Sequence, residues 1–232
     1  MSNTNTDELI APWTAGIRAA KANVIPAMIL QAACLCLLLA YYWCPAVERF
    51  VHPVSDWQRE YGIPAAFLSR GVFGGLLPGI FILTVPALRV KRPALTIAMS
   101  FLFWGMMGSL ALGFYHLQSL MFGTGHDWGT LITKMLVDQS AYTVLIAVPL
   151  SATFHFWAHD GFSFSRMKAR FPKQWVKHLI LPTLLPNWVV WAPSMTIIYA
   201  LPEPLQVHFS GLVGCFWTLF CMQVAVHATD HK

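Results

Sequence analysis

The sequence predicts an all-α integral membrane protein, a bundle of about six membrane helices with no separate soluble domain. Three observations lead there. Of 232 residues, 56% are hydrophobic and 11% charged, with mean hydropathy +0.56, whereas a soluble domain carries about 25% charge. Apolar runs of roughly twenty residues recur, each long enough to cross a hydrocarbon core about 30 Å thick. The basic residues then sort by side.

The first span covers about residues 24–47 and contains no charge at all. The second and third follow at about 65–88 and 94–118, the fourth at about 135–157. The fifth and sixth, about 178–201 and 205–226, are separated only by Pro202–Pro204, which implies a tight helical hairpin. One membrane domain therefore covers residues 1–232.

On this map Arg18, Lys21, Arg89, Lys91, Arg92, Arg166, Lys168, Arg170, Lys173, Lys177 and Lys232 fall on one side. Arg49, Arg59 and Lys134 fall on the other, and Arg70 lies within a span. Excess Lys and Arg stay on the side that is not translocated, so both termini are expected to face the cytoplasm or matrix. The pI near 9.1 is then an orientation signal rather than a nucleic-acid footprint. The polar start, "MSNTNTDELIAPW", has neither the basic opening of a secretion signal nor the Arg-rich composition of a transit peptide. Insertion is expected to use the first span itself. The host would be the plasma membrane of a bacterium, or the peroxisomal or inner mitochondrial membrane of a eukaryote. Cys34, Cys36, Cys44, Cys215 and Cys221 lie in apolar runs without a CxxC pair, and read as small buried hydrophobes.

Small residues recur at four-residue spacing: Gly71, Gly75 and Gly79 in the second span, and Gly105, Ser109 and Gly113 in the third. They allow close helix approach in lipid, either within one bundle or across a homodimer face. Two charges sit inside apolar spans, Arg70 in "FLSRGVFGG" and Asp138 near the start of the fourth. A charge in hydrocarbon costs several kcal/mol, reduced by pairing or snorkelling. An Arg70–Asp138 contact would relieve both. Alternatively Asp138 rests on the helix dipole of a first turn, and Arg70 snorkels. Prolines at 78, 86, 149, 182, 186 and 193 each free a carbonyl that a neighbouring helix, side chain or water must take. Asn187 and Thr183 stand among them.

Nine histidines raise the question of a metal. His155 and His159, like His227 and His231, are four apart and share a helical face. With His178 they could ligate zinc or iron. The sequence has no HExxH, no GxSxG and no Gly-rich phosphate loop. The expectation is therefore a non-enzyme without a cofactor, with a His-liganded metal enzyme (His155, His159, His178, His227) as an alternative.

"KMLVDQ" (Lys134–Gln139), "FPKQW", "LPNWVVWAP" (Leu185–Pro193), "YALPEPL" and "CFWTLF" together resemble the Mpv-seventeen family of peroxisomal and inner-mitochondrial membrane proteins. "GFYHLQSLMFG" upstream is similar to that family's Gly-rich helix, and the likeness spans about residues 92–222. It departs at Met195, Ile198 and Tyr199, where the family is more polar, at Ala192, which interrupts Trp-Pro, and at Gln206 in place of an Arg. The resemblance implies a channel-like protein for small solutes, with family roles carried to Asp138, Gln139, Asn187 and Trp191. Arg70 joins these four as a lining or pairing residue on its charge. The expected partners are lipids, an unidentified small solute, and a homo-oligomer or membrane complex, with no nucleic acid. A structural or accessory subunit is the other alternative.

Overall fold

The computed structural model describes Ile17, Lys21, residues 24–86, Val90 and residues 92–230, apart from the side chains of Pro26, His178, Leu179 and residues 219–230. All its regular elements among the described residues are helical. In chain order these are α1 (Val24–Trp43), α2 (Pro45–Tyr61), α3 (Ile63–Thr84), α4 (Pro93–Phe122), α5 (Trp128–His159), the short α6 (Phe164–Arg170), α7 (Leu181–Tyr199) and α8 (Glu203–Asp230).

Three helices, α3, α4 and α5, are long and apolar enough to cross a membrane. A fourth candidate arises if α1 and α2 count as one broken span, bent by 98°. The sequence map left residues 48–64 outside any span, yet most of them form α2. The chain turns at Cys44, in an extended conformation, and Pro45 then starts α2, where its missing N–H costs nothing. The new helix is amphipathic. Ser55 and Gln58 are buried, whereas Glu48, Arg49, Asp56, Arg59 and Glu60 are exposed. Its inner face is tied to α8 by Trp57 stacked on His208, with ring centroids 5.6 Å apart. Gly62, at φ +53°, ends it, and its carbonyl accepts from Gln58 Nε2 at 2.9 Å.

Three stretches are wound more widely than an α-helix: Val72–Leu76 in α3, Asp138–Ala147 in α5, and Val176–Ile180 leading into α7. Each ends two residues before a proline, Pro78, Pro149 and Pro182 respectively. A proline has no N–H to give and its ring collides with the carbonyl four residues back. Widening the preceding turn to i→i+5 bonding moves that carbonyl aside while the backbone remains bonded. Accordingly Leu77, Val148 and Leu181 each donate to the carbonyl five residues back. Pro193 is handled differently. The carbonyl it frees, Val189 O, accepts from Gln31 Nε2 of α1 at 3.0 Å. Tyr42 Oη of α1 also donates to Ala200 O, just past α7, at 2.6 Å.

The glycines of α3 face α4. A Cβ at Gly71 would meet the Phe101 ring at 2.8 Å, and one at Gly79 would meet Ile97 at 2.6 Å. At Gly75 it would stand 2.5 Å from Phe101 Cα, so two backbones lie in direct contact there. From the other side Gly105 receives the Phe67 ring, while Gly113 has nothing within 4 Å of an added Cβ. Ser109 Oγ donates to Gly105 O at 3.3 Å. The closest approach on α4 is at Gly108, off the four-residue register, against Ala66 O and the stem of Arg70. Of the cysteines, Cys34 and Cys215 are buried; Cys36 and Cys44 are exposed, which corrects the reading of all five as buried, and the Cys221 side chain lies outside the described residues.

A polar cavity inside the bundle

Helix α5 begins earlier than the hydropathy profile implies. Asp127 caps it, accepting from Thr130 N at 3.0 Å and Thr130 Oγ1 at 2.7 Å. Those bonds hold the Asp127 carboxyl below its ordinary pKa. Asp138 is therefore not in a first turn. It lies about 15 Å along the axis from Trp128, at 1.5 Å per residue, and the helix-dipole account of its position falls away.

What holds Asp138 is a set of neutral donors. It is 3% exposed. Tyr199 Oη donates to its Oδ2 at 2.8 Å, and Gln139 Nε2 and Thr143 Oγ1 donate to its Oδ1 at 2.7 and 3.4 Å. Gln118 Nε2 of α4 donates in turn to Tyr199 Oη at 3.1 Å. One turn before Asp138, on the same face, the buried Lys134 sets its ammonium 5.9 Å from the Tyr199 ring centre and bonds Ser119 Oγ at 3.4 Å. The wide winding over Asp138–Ala147 directs Asp138, Gln139, Tyr142 and Thr143 inward together, and all four are buried.

Arg70 reaches the same place from α3. It is 8% exposed. Its Nη1 lies 3.5 Å from Ser210 Oγ, its guanidinium carbon stands 5.7 Å from the Trp104 ring centre, and its Nε has no partner. The expected Arg70–Asp138 ion pair is absent among the described residues. Instead the two charges line one cavity of about 80 Å³, together with Gln139, Asn187 and Trp191. At the share each water takes in the liquid, this volume holds about three waters. Met107, Ala111 and Met195 form apolar wall, and Tyr115 and Tyr142 add hydroxyls. Tyr142 Oη is tied to Met107 O at 3.4 Å. Two further acceptors, Gln139 Oε1 and Asn187 Oδ1, are buried without a partner.

The residues singled out in the sequence as Arg70, Asp138, Gln139, Asn187 and Trp191 are thus brought together. Reading by residue type missed Tyr199, Gln118, Lys134 and Thr143. The four-residue spacing of Lys134 and Asp138 was a usable signal for one of them. Of the histidines, His155 and His159 line one recess on the outer end of α5 together with Asp160. His155 packs near Trp104, with ring centroids 6.4 Å apart, and His159 lies 3.9 Å from Asp160, which Arg170 also pairs. The side chains of His178 and His227 lie outside the described residues. Among the described residues no three His, Cys, Asp or Glu side chains cluster to hold a metal ion.

No family model, curated protein or solved structure matches this chain.

Proposed function

We propose that this chain is a multi-pass membrane protein that admits a small polar solute to its interior, in the manner of a channel or carrier. One observation carries the reading: a cavity of about 80 Å³, lined by an Arg and an Asp that do not pair with each other, inside an apolar helical bundle. Ionisable side chains within a membrane are costly and mark solute paths. The sequence motifs that resemble the Mpv-seventeen family lead to the same expectation. In this reading α1, α3, α4, α5, α7 and α8 cross the bilayer, both termini lie on the Lys-rich side, and α2 rests at the interface with its charges in water. The outward faces fit that arrangement, with Ile25, Met28, Leu68, Leu120, Leu145 and Phe216 exposed.

The test is solute entry or efflux in liposomes holding purified protein. Flux above that of empty vesicles is expected, and Ala147→Leu, which pushes a larger side chain into the cavity, is expected to suppress it. Flux no greater than in empty vesicles removes the proposal.

A further inference from the structure

The cavity wall leaves hydrogen-bonding capacity unused, and the pattern of what is unused describes a ligand. A guanidinium offers five N–H donors. This one makes a 3.5 Å approach to Ser210, its Nε is unpartnered, and no ion pair reaches it among the described residues. Nor is it turned to the surface. It is 8% exposed, and its stem lies against Gly108 of α4 and Gly211 of α8, where an added Cβ would stand 2.5 Å from Arg70 Cβ and 3.1 Å from Cδ.

Asp138 does not serve as the missing anion, since Tyr199, Gln139 and Thr143 already engage both of its oxygens. Two acceptors line the same cavity. Gln139 spends its Nε2 on Asp138, which fixes the amide orientation and leaves Oε1 an acceptor without a donor. Asn187 Oδ1 is in the same condition. The cavity therefore asks for an acceptor group at Arg70 and a donor group at Gln139 and Asn187. A guanidinium matches a carboxylate in bidentate fashion.

Resting on the solute reading above, we propose that the cavity binds a small carboxylate bearing a nearby hydroxyl or ammonium group. The carboxylate sits at Arg70 and the donor group at Gln139 Oε1 and Asn187 Oδ1. A space of about 80 Å³ suits a ligand of about four or five non-hydrogen atoms, which pack more closely than waters because they are bonded to one another. Acetate would satisfy the guanidinium only, and methylamine only the amide oxygens.

The experiment measures binding of glycolate, glycine, acetate and methylamine to the purified full-length protein in detergent, by calorimetry and by thermal stabilisation. Glycolate or glycine is expected to bind at least tenfold more tightly than acetate, with methylamine undetectable. Arg70→Gln is expected to remove acid binding. Asn187→Leu, which keeps the guanidinium, is expected to retain acetate and bring glycolate and glycine down to its level. Acetate binding as tightly as both others, acid binding unchanged in Asn187→Leu, or no acid binding at all overturns the proposal. The two readings separate in liposomes. Acids that bind but do not cross leave the ligand assignment standing and end the passage reading. Neutral solutes that cross while the acids neither bind nor cross do the reverse.

Discussion

Adding one methyl group at Gly75 and one at Gly113 compares two glycines in similar apolar helices with opposite surroundings. A carbon needs about 3.5–4.0 Å from its non-bonded neighbours. At Gly75 the new Cβ would lie 2.5 Å from Phe101 Cα and 2.7 Å from the Ser100 carbonyl carbon. Both are backbone atoms, so no rotamer change relieves the overlap, and α3 and α4 must part by about 1 Å. Overpacking of this kind costs about 1–3 kcal/mol. Gly→Ala in a helix interior returns roughly 1 kcal/mol of backbone propensity at either site. At Gly113, where nothing lies within 4 Å, that return is the whole effect. Gly75→Ala is thus expected to be destabilising by up to about 2 kcal/mol, and Gly113→Ala neutral or up to about 1 kcal/mol stabilising. Thermal unfolding in detergent, followed by circular dichroism, reads both, with about 2–4 °C per kcal/mol at this chain length. Equal shifts for the two variants would refute the argument that α3 and α4 touch backbone to backbone at Gly75.

Two further perturbations probe the interior. Tyr199→Phe removes one donor to Asp138 and strands Gln118, and is expected to cost about 1–3 kcal/mol. In double-mutant comparisons Tyr199→Phe and Asp138→Asn should couple by about 0.5–3 kcal/mol, while Arg70→Gln and Asp138→Asn should couple less; the opposite order would show that the two charges meet directly. Gln31→Leu leaves the Val189 carbonyl without its donor, with an expected loss of about 1–3 kcal/mol. Pro193→Ala restores a backbone N–H to that carbonyl, so the Gln31 loss should largely vanish in its background. A loss of the same size in both backgrounds would dissociate Gln31 from the proline.

The helical class and the apolar runs were legible because long apolar stretches with few charges satisfy their backbone groups most readily as helices, and α3, α4 and α5 are long and apolar enough to cross a membrane. The gathering of Arg70, Asp138, Gln139, Asn187 and Trp191 was legible for a related reason: polar groups inside apolar helices must turn toward one another or toward water. The identity of each partner was not. Asp138 was expected beside a guanidinium and is held by Tyr199, Gln139 and Thr143. Tyr199 was counted with Met195 and Ile198 as a loss of polarity, although its hydroxyl is the link between Gln118 and the carboxylate. A side chain that is mostly ring hides its polar tip from any hydropathy scale. Helix α2 was missed because its charges remove it from a hydropathy profile, while its inward Ser55 and Gln58 are polar too. The start of α5 was placed too late because "DWGTLITK" is polar enough to read as a loop, although Asp127 and Thr130 make a cap of it.

The longest of the three widened stretches is, over ten residues, a loosened spring rather than a tightly wound one. Pro149 forces the slack, and the slack extends back to the very residues that hold the acid and its amide neighbour. The ten residues that accommodate the proline are therefore also those that supply Asp138, Gln139, Tyr142, Thr143 and Ala147 to the hollow, so the winding of the backbone and the make-up of the wall are one and the same feature.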